Sequence, residues 1–160
     1  MIVIVMGVTG SGKTTVGTLL AQDLGWEFAD GDNFHPLANV EKMRRGIPLT
    51  DVDRAPWLRA IRNAIQGWIA QHKSVVVACS ALKRSYRQEL QAGPEVRFVY
   101  LKGSRELIAR RLHARHGHFA TEAILDGQFA DLEEPDNAVR VEIGDSPEEE
   151  AQDARRGLGL

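Results

Sequence analysis

The sequence has little cysteine, little net charge and no long apolar run, and each shortage excludes a class of protein. Its single cysteine, Cys79, cannot form an intramolecular disulfide, which suits a reducing compartment. The formal net charge of −2 gives no global reason to expect nucleic acid or an anionic membrane as partner. The apolar opening at residues 1–6 is too short to span a bilayer and lacks the basic region of a secretory signal. We therefore expect a cytoplasmic protein.

Apolar runs that resemble strands alternate with helical patterns along the 160 residues. The runs 2–6, 74–79 and 96–101 predict strands buried on both faces, and weaker signals lie near 26–29 and 138–143. This alternation predicts a single α/β domain, a three-layer sandwich with a parallel five-stranded sheet.

Local signals place several helix ends. Pro36 suits the first turn of a helix that runs to about Arg45. Asp53 is expected to cap a longer helix after it. The last four residues, 157–160, are expected to fray. Two serines suit the N-caps of later helices: Ser104 and Ser146.

The strongest motif follows the first strand and fits the phosphate loop (P-loop) pattern of Gly, four residues, Gly-Lys-Ser/Thr. Its glycines let successive backbone N–H groups face phosphate oxygens, and the next helix adds its positive N-terminus. Lys13 is expected to reach the β- and γ-phosphates, and Thr14 to offer a hydroxyl to Mg²⁺. The alternative is a glycine turn with an incidental lysine, but the flanking strand and amphipathic helix favour the P-loop. The expected nucleotide-binding residues are Gly7, Thr9, Gly10, Ser11, Gly12, Lys13, Thr14 and Thr15.

A carboxylate pair ends the second predicted strand, as Asp30-Gly31-Asp32. The sequence has no Asn-Lys-x-Asp guanine signature, and no strand is followed by Asp-Glu as in many water-activating ATPases. In a P-loop fold one carboxylate can help to hold Mg²⁺ while the other accepts the proton of an attacking hydroxyl. Taken alone, the motif would be read as a solvated turn.

Two segments, about 33–56 and 113–128, are richer in histidine, arginine and acids than the rest. In a nucleotide-binding fold such segments are where a substrate-binding insertion and a lid lie. The histidines of the second segment could chelate a metal, but no cysteine or suitably placed acid completes a tetrahedral set.

Linked motifs across nearly the whole chain resemble the bacterial gluconate kinases of the shikimate-kinase-like group. The motifs lie at residues 28–36, 39–58, 79–87, 98–103, 111–119 and 128–135. The resemblance implies a P-loop kinase fold, an ATP- and Mg²⁺-dependent phosphorylation of D-gluconate at its 6-hydroxyl, and a homodimer. It assigns Asp32 to the acceptor hydroxyl and Asp30 to the metal side, although the sequence leaves their order open.

The same resemblance assigns cations to the substrates. Arg115 in the lid is the candidate for stabilising transition-state charge, and Arg111 for stacking on adenine. A gluconate pocket should offer cations and polar groups that read hydroxyls. For each residue the alternative role is a surface charge or an ion pair. Arg44, next to Arg45, could equally be the arginine that faces the pocket. The expected substrate contacts are Asp32, His35, Arg45, Arg54, Lys83 and His118.

Two other functions remain open on the sequence. One is a kinase for another small hydroxy acid such as shikimate, which the Asp-Gly-Asp pair alone would allow. The other is a nucleotide-binding module without transfer activity, which predicts nucleotide binding without acceptor-dependent turnover.

Overall fold

A five-stranded, fully parallel sheet forms the centre of the computed structural model. The strands are β1 (Ile2–Met6), β2 (Glu27–Asp30), β3 (Val75–Ala78), β4 (Val96–Lys102) and β5 (Val139–Glu142), in the spatial order β2-β3-β1-β4-β5. The structure describes residues 1–116, 119–144 and 146–160, and the side chains of these except 115, 116 and 119–121. The predicted α/β fold with a parallel five-stranded sheet is confirmed.

Seven α-helices surround the sheet in the described residues. They are α1 (Lys13–Leu24), α2 (Leu37–Arg44), α3 (Asp51–Ala70), α4 (Arg84–Leu90), α5 (Arg105–His116), α6 (Phe119–Asp131) and α7 (Pro147–Leu158). A short 3-10 helix, Gly31–Phe34, follows β2. Within the described ranges none of these helices is both long and apolar enough to cross a membrane.

The core has two halves, one on each face of the sheet. Val3 and Val5 of β1 face a cluster that includes residues of α1, α5 and α7. Ile2 and Ile4 face the opposite cluster, built with α3 and α4. Because successive strand residues point to opposite faces, the apolar run of β1 fills both halves. The result is a helix–sheet–helix sandwich in which all strands end at one edge.

Three local predictions were wrong. Thr50, and not Asp53, caps α3: its hydroxyl accepts from the Asp53 N–H, and Asp53 accepts from the Thr50 N–H in a capping box. Pro36 precedes α2 as its N-cap instead of lying in the first turn. The C-terminal residues do not fray, since Leu158 ends α7, is 4% exposed and accepts a hydrogen bond from Arg97 through its carbonyl. The capping roles of Ser104 and Ser146 are confirmed.

Asp53 also joins two helices of the substrate-side segment. Its carboxylate accepts from Lys42 Nζ on α2 at 2.9 Å and from the Thr50 N–H at 2.9 Å. These hydrogen bonds, that from Lys42 foremost, lower the Asp53 pKa from 3.8 to about 2. The carboxylate therefore fixes α2 against the start of α3.

This pKa predicts how stability depends on pH. Because the folded-state pKa lies below the unfolded one, Asp53 stabilises the fold above pH 3.8 and loses that effect as pH falls towards about 2. We expect Asp53→Asn to unfold at a lower urea concentration than wild type at pH 7. The difference should narrow as the pH falls through this window. A difference that stays constant from pH 7 to pH 3 would contradict the assignment.

Candidate active site

The P-loop connects β1 to α1 at the carboxyl edge of the sheet. Gly10 has φ +79, and a Cβ there would lie 2.8 Å from Leu112 Cγ of α5. Glycine is therefore required both for the left-handed backbone and for the close approach of α5. Thr14 and Thr15 are exposed in the first turn of α1, where helix N–H groups have no partner within the helix.

Lys13 supplies the positive charge of this loop. Its Nζ donates to the Val8 carbonyl at 3.0 Å. Desolvation lowers the Lys13 pKa, and nearby Asp32, Cys79 and Asp30 partly offset this effect. The structure thus brings Lys13 and both aspartates of the Asp-Gly-Asp motif together, although β3 lies between β2 and β1 in the sheet.

The loop contains a buried polar group suited to an anion. The Ser11 hydroxyl is fully buried, and among the described residues its Oγ has no hydrogen-bond partner. A buried hydroxyl without a partner is costly, whereas phosphate oxygens would accept its hydrogen bond. This feature fits the expected binding of nucleotide phosphates.

Gln128 is a contact of the P-loop that the sequence did not reveal. The Thr9 N–H donates to Gln128 Oε1 at 2.6 Å. Gln128 belongs to α6, so the loop is tied to the segment expected to form the lid. The one sequence signal for it was its place in the motif at 128–135.

A cleft of about 380 Å³ opens beside the P-loop. Arg111 lines it together with Thr15 of α1 and Pro147, the first residue of α7. Arg111 therefore lies in the same cleft as residues of the P-loop, as the expected adenine contact requires. The remaining lining residues are Gly10, Gly12, Val16, Leu112, Ala114 and Glu150.

The Asp-Gly-Asp segment is not extended to its end, because the 3-10 helix begins at Gly31. Asp30 is the N-cap, and its Oδ1 accepts from the Asp32 N–H at 3.0 Å. Gly31 lies against β3, where a Cβ would be 2.6 Å from the Ala78 carbonyl oxygen. Asp32 is exposed. The Asp30 carboxylate therefore stabilises the turn, whereas the Asp32 side chain lies exposed on it.

His35 lies between the aspartates and the substrate-side cations. Its ring stacks on Trp57 of α3 with centroids 4.4 Å apart and planes 11° apart. Trp57 in turn donates through Nε1 to the Gly31 carbonyl at 2.8 Å. Burial lowers the His35 pKa, Asp32 raises it and Arg54 lowers it further. His35 is thus electrostatically coupled to both sides of the site.

Arg54 and Lys83 converge on one tyrosine. Arg54 NH1 donates to the Tyr86 hydroxyl at 3.0 Å, and both cations lie 5.6 Å from the centroid of its ring. Two carboxylates face this group: Asp51 accepts from Lys83 Nζ at 3.0 Å, and Asp131 lies 3.6 Å from Arg54 NH2. The Tyr86 hydroxyl also donates to Asp51. Sequence reasoning missed both carboxylates and the tyrosine.

The loop before Lys83 is fixed by a buried guanidinium. Arg87 of α4 donates to the carbonyls of Ala81 at 2.7 Å, Leu82 at 3.0 Å and Glu133 at 2.6 Å. Ala81 adopts a left-handed backbone with φ 46, which is unfavourable for a residue with a Cβ. Arg87 therefore holds this strained turn and joins it to the chain that follows α6.

One expected site residue is not brought into this group, and two others lie at least partly outside the described residues. Arg45 is exposed at the C-cap of α2, and its competitor Arg44 pairs with Glu41 on the surface at 2.8 Å. The Arg115 side chain and all of His118 lie outside the described residues. Their roles stay predictions.

Comparisons with known proteins agree with this geometry. A family model described as shikimate kinase matches residues 9–134. The gluconokinase of Gluconobacter oxydans is 49% identical over 133 residues, covering 82% of this chain and 75% of the relative. The thermoresistant gluconokinase of Escherichia coli is 46% identical over 135 residues, covering 84% and 77%.

A solved structure of a gluconokinase from Sinorhizobium meliloti superposes with a TM-score of 0.89 at 44% identity, covering 98% of this chain and 90% of that one. The similarity thus extends from the P-loop through both polar segments. The chain belongs to the gluconokinase family, within the group that the shikimate kinase model describes.

Proposed function

We propose that this protein transfers the γ-phosphoryl group of ATP to the 6-hydroxyl of D-gluconate, giving 6-phospho-D-gluconate. The observation that carries the proposal is the meeting of Lys13 with Asp30 and Asp32 beside the cations Arg54 and Lys83. The residues proposed to bind the phosphoryl donor thus lie next to the cations proposed to bind an anionic acceptor, which supports in-line transfer between them. The gluconokinase relatives support gluconate as the acceptor.

On the donor side, loop N–H groups and the Ser11 hydroxyl would bind phosphate oxygens. Lys13 would neutralise charge on the β- and γ-phosphates. Arg111 would stack on adenine in the cleft, and Arg115 in the lid segment 113–128 would approach the γ-phosphate. Exclusion of water by that segment would favour transfer over hydrolysis.

Mg²⁺ fits the chemistry of two residues at this edge. Thr14 presents an exposed hydroxyl at the start of α1, and Asp30 supplies a carboxylate whose Oδ1 is already fixed by the Asp32 N–H. Hard oxygen ligands of this kind suit Mg²⁺, and Asp30 would act directly or through water. When bound, the ion neutralises phosphate charge.

On the acceptor side, Asp32 would orient the 6-hydroxyl and accept its proton. The segment 33–56 would bind the polyol through His35 and Arg54, with Lys83 facing it from the loop after β3. Arg45 and His118 are further predicted contacts. The homodimer and the cytoplasmic location also stay predictions.

A coupled assay of ADP release tests the proposal. We expect turnover with D-gluconate, little with shikimate or other sugar acids, and only slow release without an acceptor. Shikimate is included because the matching family model carries that description. Turnover with shikimate but not gluconate would show that the acceptor is shikimate. Nucleotide binding without turnover on any acceptor would favour a non-catalytic module.

A further inference from the structure

The cations of the acceptor pocket already bind a carboxylate of the protein. Asp51 Oδ1 accepts from Lys83 Nζ at 3.0 Å and from the Tyr86 hydroxyl. The same hydroxyl accepts from Arg54 NH1 at 3.0 Å. A single carboxylate thus engages Lys83 and Tyr86 directly and Arg54 through the tyrosine. These are the donors that an acceptor carboxylate would need.

Asp51 is also the most exposed member of this group. Its side chain is 66% exposed, against 27% for Lys83 and 19% for Arg54. It is the first residue of α3, whose start is held by the Thr50 capping box and not by the Asp51 side chain. The carboxylate can therefore rotate into water without moving the helix. An exposed ion pair of this kind is weak.

We propose that Asp51 is an internal substitute for the carboxylate of the acceptor and is displaced when the acceptor binds. This inference rests on the proposed function and names a residue that sets the affinity of the acceptor site. In the unliganded pocket Asp51 and Asp131 balance the charges of Lys83 and Arg54. An incoming carboxylate replaces the interactions of Asp51 with Lys83 and Tyr86, while Asp131 remains on Arg54.

The exchange gives selectivity for anionic acceptors. A carboxylate restores the charge balance that is lost when Asp51 turns away, whereas a neutral polyol leaves Lys83 without a counter-charge. Specificity is a difference between affinities, and here the difference is the set of interactions with Lys83 and Tyr86 that a carboxylate takes over and a neutral polyol does not. Asp51 therefore weakens the binding of gluconate and of uncharged sugars alike, and only gluconate recovers the interactions that Asp51 gives up.

The test is the KM for D-gluconate in Asp51→Asn at saturating ATP. The amide keeps the size of the side chain and removes its charge, so the gluconate carboxylate no longer competes with an anion. We expect KM to fall about two- to fivefold, the range of an exposed ion pair, with kcat close to wild type. If Asp51 instead read a substrate hydroxyl, KM would rise; an increase or an unchanged KM overturns the proposal.

A double-mutant cycle shows whether the effect passes through Lys83. Lys83→Gln alone should raise KM, and adding Asp51→Asn to it should give a clearly smaller gain than in wild type. A gain of full size in the Lys83→Gln background would overturn the proposed route. Glu148→Gln is the matched control, because Glu148 is an exposed acid in the first turn of α7. An equal fall of KM in this variant would show that the effect comes from the net charge of the protein and not from Asp51.

Failure of the inference and failure of the proposed function are distinguishable. Absence of gluconate-dependent ADP release by the wild-type protein would contradict the function itself. Normal wild-type turnover with no fall of KM in Asp51→Asn would contradict the role of Asp51 alone.

Discussion

Lys13→Met is expected to lower kcat with gluconate by about a thousandfold, the scale on which loss of one preorganised charged group slows a reaction. Lys13 is the cation beneath the P-loop, where its Nζ donates to the Val8 carbonyl. Desolvation around the amine strengthens its interaction with phosphate, because little water screens the charge. Methionine matches the length of lysine and tolerates a site with little water, so the fold should persist.

The measurement is ADP release at saturating gluconate, with a melting curve of each variant to show that it is folded. Lys73→Met is the matched control. Lys73 is a surface lysine that lies 3.7 Å from Glu27 and is 45% exposed, so its loss should leave kcat unchanged. A Lys13→Met protein within tenfold of wild type would show that the P-loop lysine does not carry the transfer.

The fold was predictable from sequence because its determinants are local. The five apolar residues of β1 fill both faces of the sheet, and glycines 7, 10 and 12 all adopt positive φ. Such signals lie within a few adjacent residues and need no knowledge of the rest of the chain. The errors at Asp53 and Pro36 are small shifts within one turn, where neighbouring residues compete for the same cap.

The acceptor pocket was only half predictable. Arg54 and Lys83 were found because cations suit an anionic substrate, but the carboxylates that balance them were not. Asp51 lies 32 residues from Lys83 along the sequence, so no local pattern shows that they meet. Its one signal was that it lies in the motif 39–58, as Tyr86 lies in 79–87.

The connection between the P-loop and α6 was hidden for the same reason. Thr9 and Gln128 are separated by 119 positions, and a glutamine on a helix is ordinarily solvated. Only the folded chain shows that its amide oxygen caps a P-loop N–H. Long-range polar pairs of this kind are where reading a single sequence fails, because each partner looks unremarkable in its own segment.

The second large effect is expected for Asp32→Asn, which should lower kcat by about a hundred- to ten-thousandfold, the usual contribution of a general base. Asp32 is exposed in the turn that Asp30 caps and lies close enough to Lys13 and His35 to shift the pKa of each. Asparagine keeps the shape of the side chain and the backbone hydrogen bond to Asp30. Its amide cannot accept the proton of the 6-hydroxyl.

Asp30→Asn separates the two carboxylates. Asparagine caps a helix as well as aspartate does, so the Asp32 N–H keeps its acceptor and the turn keeps its form. If Asp30 is on the metal side, this variant needs more Mg²⁺ to reach half-maximal rate, whereas Asp32→Asn keeps the wild-type Mg²⁺ requirement. Both variants are assayed for ADP release across a Mg²⁺ titration at saturating ATP and gluconate.

The pattern of the two titrations decides the order of the roles. A large fall in kcat for Asp30→Asn, with a raised Mg²⁺ requirement for Asp32→Asn, would exchange the assignments and keep the kinase reaction. A near-normal kcat for Asp32→Asn, together with an unchanged kcat and Mg²⁺ requirement for Asp30→Asn, would show that neither carboxylate takes part in the chemistry. In that case positioning and charge from the P-loop side would have to suffice, as they can where the transition state is loose and the acceptor loses its proton late.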